Sequence, residues 1–227
     1  MPHRHQDIYS STPLHVLAAE EAAALAGDLQ RCAGEHGLLV TAMAGDMSPG
    51  LPLLNHWVRL TLGWQGLYGG DLRGRANEPL AFQDEIFELV MLRHALEIAP
   101  APRALLDEAV RVLAPGGILA VTGIHPFSFW NPWLRWSTRP RPLSLTSPLV
   151  LEHWLRTHGL DIEKVQRVGR WRPGAAEEWQ VMPVLGGGYV MIARKRRHIL
   201  TPTRLRPRAV AAPVGVGLAP GARRSAA

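Results

Sequence analysis

A chain of 227 residues with 47% hydrophobic and 19% charged residues is long and apolar enough to bury a sizeable core, which excludes a disulfide miniprotein, a collagenous chain and an acidic disordered one. Its one cysteine, Cys32, excludes an internal disulfide and a cysteine-built zinc site and fits a reducing compartment, so the cytoplasm is the expected location. The formal charge of +6 is unevenly placed: Arg194 to Ala227 hold nine of the 25 Lys and Arg residues and none of the 19 Asp and Glu, leaving the preceding chain mildly acidic.

In chain order, residues 1–17 read as an N-terminal extension, and MPHRHQDIYSS lacks the charged, apolar and small-residue order of a secretory signal. Ala18 to Gly34, rich in Ala, Leu and Glu with Glu20 and Glu21 near the front, predicts a helix. Gly37 opens GLLVTAMAG, a short apolar run without a polar helical face, which suits a strand buried on both sides. His56 to Leu62 (HWVRLTL) alternates as a second strand, Gly63, Gly66, Gly69 and Gly70 punctuate a turn region, and Glu85 to Leu92 (EIFELVML) predicts a third strand. Pro102 begins an amphipathic helix carrying Leu105, Ala109, Val112 and Leu113, which Pro115-Gly116-Gly117 ends before the strand Ile118 to Gly123. A Trp- and Pro-rich stretch follows from Trp130 to Pro148, then a helix over Leu149 to His158 and strands over Asp161 to Val168 and Tyr189 to Lys195 that could pair as a hairpin. Strands alternating with helices predict an α/β domain over 18–199, and residues 200–227, which hold Pro, Ala, Gly and Arg without periodicity, read as a disordered basic tail.

The segment Glu78 to Gly123, EPLAFQDEIFELVMLRHALEIAPAPRALLDEAVRVLAPGGILAVTG, resembles the class I S-adenosylmethionine-dependent methyltransferases. Leu80, Phe82, Phe87, His94, Leu96, Glu97, Arg111, Leu113, Pro115, Gly116 and Gly117 sit at places matching that family's hydrophobic-Pro-Phe segment, its strand leading to a His and Leu-Glu pair, and its Arg-x-Leu-x-Pro-Gly-Gly turn. GLDIEKVQRV and GGYVMIARKR look like the family's terminal antiparallel hairpin, so the likeness extends over most of residues 37–196. HPFSFWNPWLRW after the fifth strand looks closest to a bacterial, type 11-like subgroup.

The resemblance implies a Rossmann-like fold, with a mostly parallel central sheet, helices on both faces and a C-terminal antiparallel hairpin. It also implies S-adenosyl-L-methionine as cofactor and a small-molecule methyl acceptor. The cofactor-binding positions it points to are Ala44, Gly45, Gly63, Asn77, Glu78, Arg93 and His94. Three of these regions depart from the family pattern. The turn AMAGDMSPG keeps only Gly45 and Gly50 of a Gly-x-Gly-x-Gly loop, Gly63 and Trp64 stand where an acid grips the ribose, and Ala76 replaces an adenine-side aspartate beside Asn77 and Glu78.

Several residues invite two readings. His94, after a buried strand, would contact a ligand at the sheet edge or be a satisfied packing histidine, and His125 is a candidate general base without an identifiable polar partner. Trp130, Trp133 and Trp136 would stack along one side of a helix beside Arg135, Arg139 and Arg141, either as a lid over the core or at a membrane interface. The cluster Arg194 to Arg197 and the tail arginines allow weak polyanion or membrane-surface contact, while the lack of interleaved aromatics gives no support for specific nucleic-acid recognition. The ten scattered histidines mark no metal site. Two functions therefore compete: methyl transfer to an unidentified small molecule, and a catalytically inactive relative serving as a binding or scaffolding module.

Overall fold

The computed structural model describes residues 8–174 and 186–197. A 3₁₀ turn at Ile8–Ser10 leads into α1 (Thr12–Leu29), followed by β1 (Gly34–Thr41), β2 (Leu54–Leu62), β3 (Leu67–Gly70), β4 (Gly74–Arg75) and β5 (Phe87–Arg93). Then come α2 (Ala95–Ile98), α3 (Pro102–Val112), β6 (Leu113–Ile124), α4 (Trp130–Thr138), α5 (Pro148–Thr157), β7 (Leu160–Val168) and β8 (Gly188–Lys195). All eight strands join one sheet in the order β4-β3-β2-β1-β5-β6-β8-β7.

The centre of the sheet is parallel, with β1 pairing β2 and β5, and β5 pairing β6. Such strands are covered on both sides, which is why LLV in β1 and LVML in β5 are continuous apolar runs: Leu38, Leu39, Val40, Leu89 and Val90 have no solvent exposure. On β8, residues of opposite parity reach different helices. A Cβ on Gly188 would abut Leu17 and Glu21 of α1, whereas the Lys195 ammonium donates to the carbonyls of Val110, in α3, and Leu113, at its end. Side chains alternate across a strand, so α1 and α3 lie on opposite faces. The expected hairpin is present as the antiparallel pair β7 and β8, and β8 also runs antiparallel to β6.

Four local expectations are corrected. The first helix starts at Thr12, not Ala18, because Leu14, Leu17, Leu25 and Leu29 form one buried stripe with Pro13 in the first turn, so part of the expected extension belongs to the core. It also ends at Leu29, and Gly34 already opens β1. The glycine-punctuated region holds an antiparallel return: Gly66, at φ +68°, reverses the chain and Leu60 to Leu62 pair with Tyr68 to Gly70. Pro115-Gly116-Gly117 is not a free turn but an irregular stretch of β6, opposite a register shift between Phe87 and Leu89.

The connection between β1 and β2, residues 42–53, contains no helix. Pro49, Pro52, Gly45 and Gly50 leave no stretch of it able to sustain a helical ladder. The tail and the segment 175–185 lie outside the described residues.

Candidate functional site

In an open α/β sheet a ligand sits outside the carboxyl ends of the strands where the strand order reverses, here between β1 and β5. Arg93 ends β5 at that point and His94 follows it. His94 adopts the left-handed conformation (φ +53°) that turns the chain from β5 into α2, and its ring is completely buried. Its Nδ1 lies 3.0 Å from Glu97 Oε1 and its Nε2 lies 3.2 Å from Glu21 Oε2 of α1. Burial disfavours the imidazolium, but the two carboxylates outweigh it and push the His94 pKa up to about 10, so the ring is charged at neutral pH. Glu97 is further satisfied by the Ile124 backbone N–H at 2.5 Å and by the Tyr9 hydroxyl at 2.5 Å.

Tyr9 comes from the 3₁₀ turn before α1 and has no solvent exposure. Its ring lies 5.9 Å from Trp64, just past β2, and 5.8 Å from His94. Side chains from the two ends of the crevice are thus packed together through Tyr9. Beside them the β1 turn folds back onto β5: Asp46 accepts from Thr41 Oγ1 at 3.0 Å and pairs with Arg93 Nη1 at 2.5 Å, both side chains being nearly buried. The Met43 backbone N–H donates to Thr41 Oγ1 at 3.0 Å, which fixes the turn.

The predicted cofactor residues therefore divide into two groups. Arg93 and His94 are interior and engaged by Asp46, Glu21 and Glu97. Ala44, Gly45, Gly63, Asn77 and Glu78 lie on exposed turns. Gly45 has φ +76° with open space where a Cβ would stand, while Gly63 would meet only Leu67 O at 3.5 Å. Gly66 and Ala76 approach each other, bringing the Gly63 loop beside the Asn77 turn. Sequence reasoning missed Tyr9, Asp46 and Glu21. A signal existed only for Glu21, an acid at the helical spacing of the buried stripe between Leu17 and Leu25.

His125 follows β6. Its Nδ1 faces the Phe127 backbone N–H at 3.2 Å, and burial together with Arg167 holds its pKa below the ordinary value. The three tryptophans do not share one face: Trp130 is buried with its indole N–H on Arg170 O, Trp133 is half-buried 5.7 Å from it, and Trp136 is exposed. In the basic cluster, Arg194 pairs with Glu163, Lys195 with Glu85 and Arg196 with Asp161, so local acids already answer most of that charge.

Two cavities border the region. One of about 100 Å³ lies between α1 and the β1–β2 connection, lined by Leu25, Leu29, Gly50, Leu51, Met91 and Arg93. It is too small for a nucleoside, since ligand pockets run to roughly 300–1,000 Å³. The other, about 470 Å³, is a solvent-open depression at Gly63, Trp64, Gln65, Leu67 and Arg141, with the Arg141 guanidinium 5.3 Å from the Trp64 ring centre.

A sheet with this strand order, parallel at its centre and closed by an antiparallel C-terminal pair, defines the class I methyltransferase fold. Residues 60–121 match the family model described as a methyltransferase domain. The chain superposes on an S-adenosylmethionine-dependent methyltransferase from Archaeoglobus fulgidus with a TM-score of 0.56 at 13% identity, covering 83% of this chain and 97% of that one. It superposes on BH2331 of Bacillus halodurans C-125 with a TM-score of 0.55 at 19% identity, covering 77% and 98%. Among curated proteins it is 30% identical over 130 residues to the uncharacterized protein YafS of Escherichia coli (strain K12), a match that spans about half of each chain, 54% in both cases. The domain match covers a little over a quarter of the chain and the superpositions show the fold, so the chain is a methyltransferase-fold protein.

The cofactor that the matched methyltransferase domain implies is S-adenosylmethionine. It needs backbone to approach it at the β1 turn and an acid for its ribose. Met43 is buried at that turn, Asp46 is committed to Arg93, and Gly63, which has no carboxylate, follows β2. Tyr9 packs between Trp64 and His94, with its ring centre 5.9 and 5.8 Å from theirs. On these counts the residues present do not match the contacts the cofactor needs.

Proposed function

We propose that this chain is a methyltransferase-fold protein that works by binding rather than by methyl transfer. The observation that carries this reading is Tyr9, fully buried at the switch point with Trp64 on one side and His94 on the other, its hydroxyl held by Glu97. A charged His94 between two buried carboxylates makes this a structural core, because displacing any member leaves an uncompensated charge. Calorimetric titration of the full chain with S-adenosylmethionine and with S-adenosylhomocysteine tests it. No saturable heat is expected at millimolar ligand, and saturable binding in the micromolar range by either compound overturns the reading.

A second reading, methyl transfer to a small molecule, is favoured by the domain match over 60–121 and by the open depression beside Gly63. Ala44, Gly45, Gly63, Asn77 and Glu78 would then be the turns around the cofactor, whose sulfonium methyl is already electrophilic. The chain's own task would be to align the acceptor, which needs no acid–base triad. The same titration separates the two, because only this reading requires the nucleoside to bind.

A further inference from the structure

Helix α4 is apolar on two sides, and the fold uses only one of them. Trp130, Leu134 and Thr138, spaced four apart, are 2%, 0% and 5% exposed and face the interior. On the opposite side, Phe129, Pro132 and Trp136 are at positions i, i+3 and i+7, with Phe129 62% and Trp136 73% exposed. Phe127, in the turn leading to the helix, is 85% exposed. Phe129 also stands edge-on to Trp171 at 5.4 Å, and the Arg172 guanidinium lies 4.8 Å from that indole's centre. Rings this exposed line no groove; they protrude as a ridge.

The ridge carries basic residues among the described residues: Arg135 on α4 and Arg139 just after it flank the ridge, Arg172 lies over the Trp171 ring, and the sequence holds no Asp or Glu from Ala109 to Leu151. Arg135 is held by Asn131 at 2.7 Å, a neutral partner, and no carboxylate among the described residues pairs with it.

We infer that this ridge is a docking surface for an anionic lipid bilayer. Aromatic side chains settle at the headgroup level of a membrane, where an apolar ring can be buried without deep insertion. Arginines reach past them to lipid phosphates while their stems stay on the apolar boundary. A folded protein partner would need a recess to receive rings that project this far, whereas a fluid bilayer accommodates a convex ridge. A patch of exposed aromatics on a water-soluble surface is otherwise unfavourable. The inference goes beyond the function proposed above and does not depend on it, since α4 engages a surface whether or not the chain binds a nucleoside.

Co-sedimentation of the full chain with vesicles tests it, using phosphatidylglycerol mixed equally with phosphatidylcholine against phosphatidylcholine alone. Binding is expected to the anionic vesicles only, and weakened by salt. The combined variant Phe127→Ser, Phe129→Ser, Trp136→Ser should lose at least tenfold in affinity with an unchanged circular dichroism spectrum and melting temperature, because these rings support no core. A full chain with Arg204, Arg206 and Arg208 changed to Ser should still bind within a few fold. No binding to anionic vesicles overturns the inference. So does full binding by the aromatic variant, loss of binding on changing the tail arginines alone, or a preference of the ridge for a single-stranded oligonucleotide over vesicles.

Discussion

The Tyr9 hydroxyl donates a 2.5 Å hydrogen bond to Glu97 Oε2, joining the turn before the first helix to the short helix after β5 across 88 positions of sequence. Through Glu97 it is coupled to His94, and through His94 to Glu21 of α1. The N-terminal segment is therefore fastened to the sheet by a buried polar cluster as well as by the leucine stripe of α1.

Removing only the hydroxyl, with Tyr9→Phe, leaves the ring contacts and strips one donor from a buried carboxylate, so it should cost about 1–3 kcal/mol in urea unfolding. Tyr9→Ala also opens a cavity and should cost about 3–5 kcal/mol. Neither variant should acquire affinity for S-adenosylmethionine, because Met43, Asp46 and Gly63 still do not supply its contacts. Calorimetry on the Tyr9→Ala protein checks this, and nucleoside binding there would show that the ring alone closed the site.

The raised pKa of His94 links stability to pH. Its value rises from 6.5 in the unfolded chain to about 10 in the fold, so the folded state holds the proton more tightly. That stabilisation is fully present below about pH 6.5 and is lost as pH climbs through 10. The melting temperature of the natural chain should thus fall between pH 7 and pH 10. His94→Gln, which leaves Glu21 and Glu97 without their cation, should be less stable by roughly 3–5 kcal/mol at pH 7 and show a flatter decline. Melting curves of both proteins at matched ionic strength measure the difference.

Arg93 and Asp46 form a second buried pair. Asp46→Asn leaves the guanidinium charge uncompensated and should destabilise by about 3–5 kcal/mol, whereas replacing both, Arg93→Met with Asp46→Leu, should cost far less. A double-mutant cycle in denaturant reads the coupling, and additive losses would show that the pair is not energetically linked.

Arg111 clamps a loop rather than a ligand. Its guanidinium donates to Glu108 at 3.0 and 2.8 Å and to the carbonyls of Leu80 and Phe82 at 2.9 Å, and it pairs with Asp84, while Glu108 accepts from the Leu80 backbone N–H. Lysine cannot reproduce this fork. Arg111→Lys should cost about 1–3 kcal/mol, with faster amide hydrogen exchange concentrated in residues 80–84, the segment that carries the family's hydrophobic-Pro-Phe resemblance.

Much of the architecture was legible in the sequence. Continuous apolar runs in β1 and β5, the period of α3 and the Arg111 to Gly117 motif are local or near-local patterns, and a strand buried on both faces must read as such wherever it lies. It also showed which familiar positions at the β1 and β2 ends held other residues, though not what those residues do instead. Tertiary structure alone decided that. Tyr9, Glu21, His94 and Glu97 meet only because α1 lies against the sheet, and Asp46 turns to Arg93 only because β1 and β5 are neighbours. Trp130 and Trp136 belong to one motif in sequence, yet helical rotation sends the first to the core and the second to solvent. Charge pairing and burial depend on distances between segments far apart along the chain, and a linear pattern carries no record of those distances.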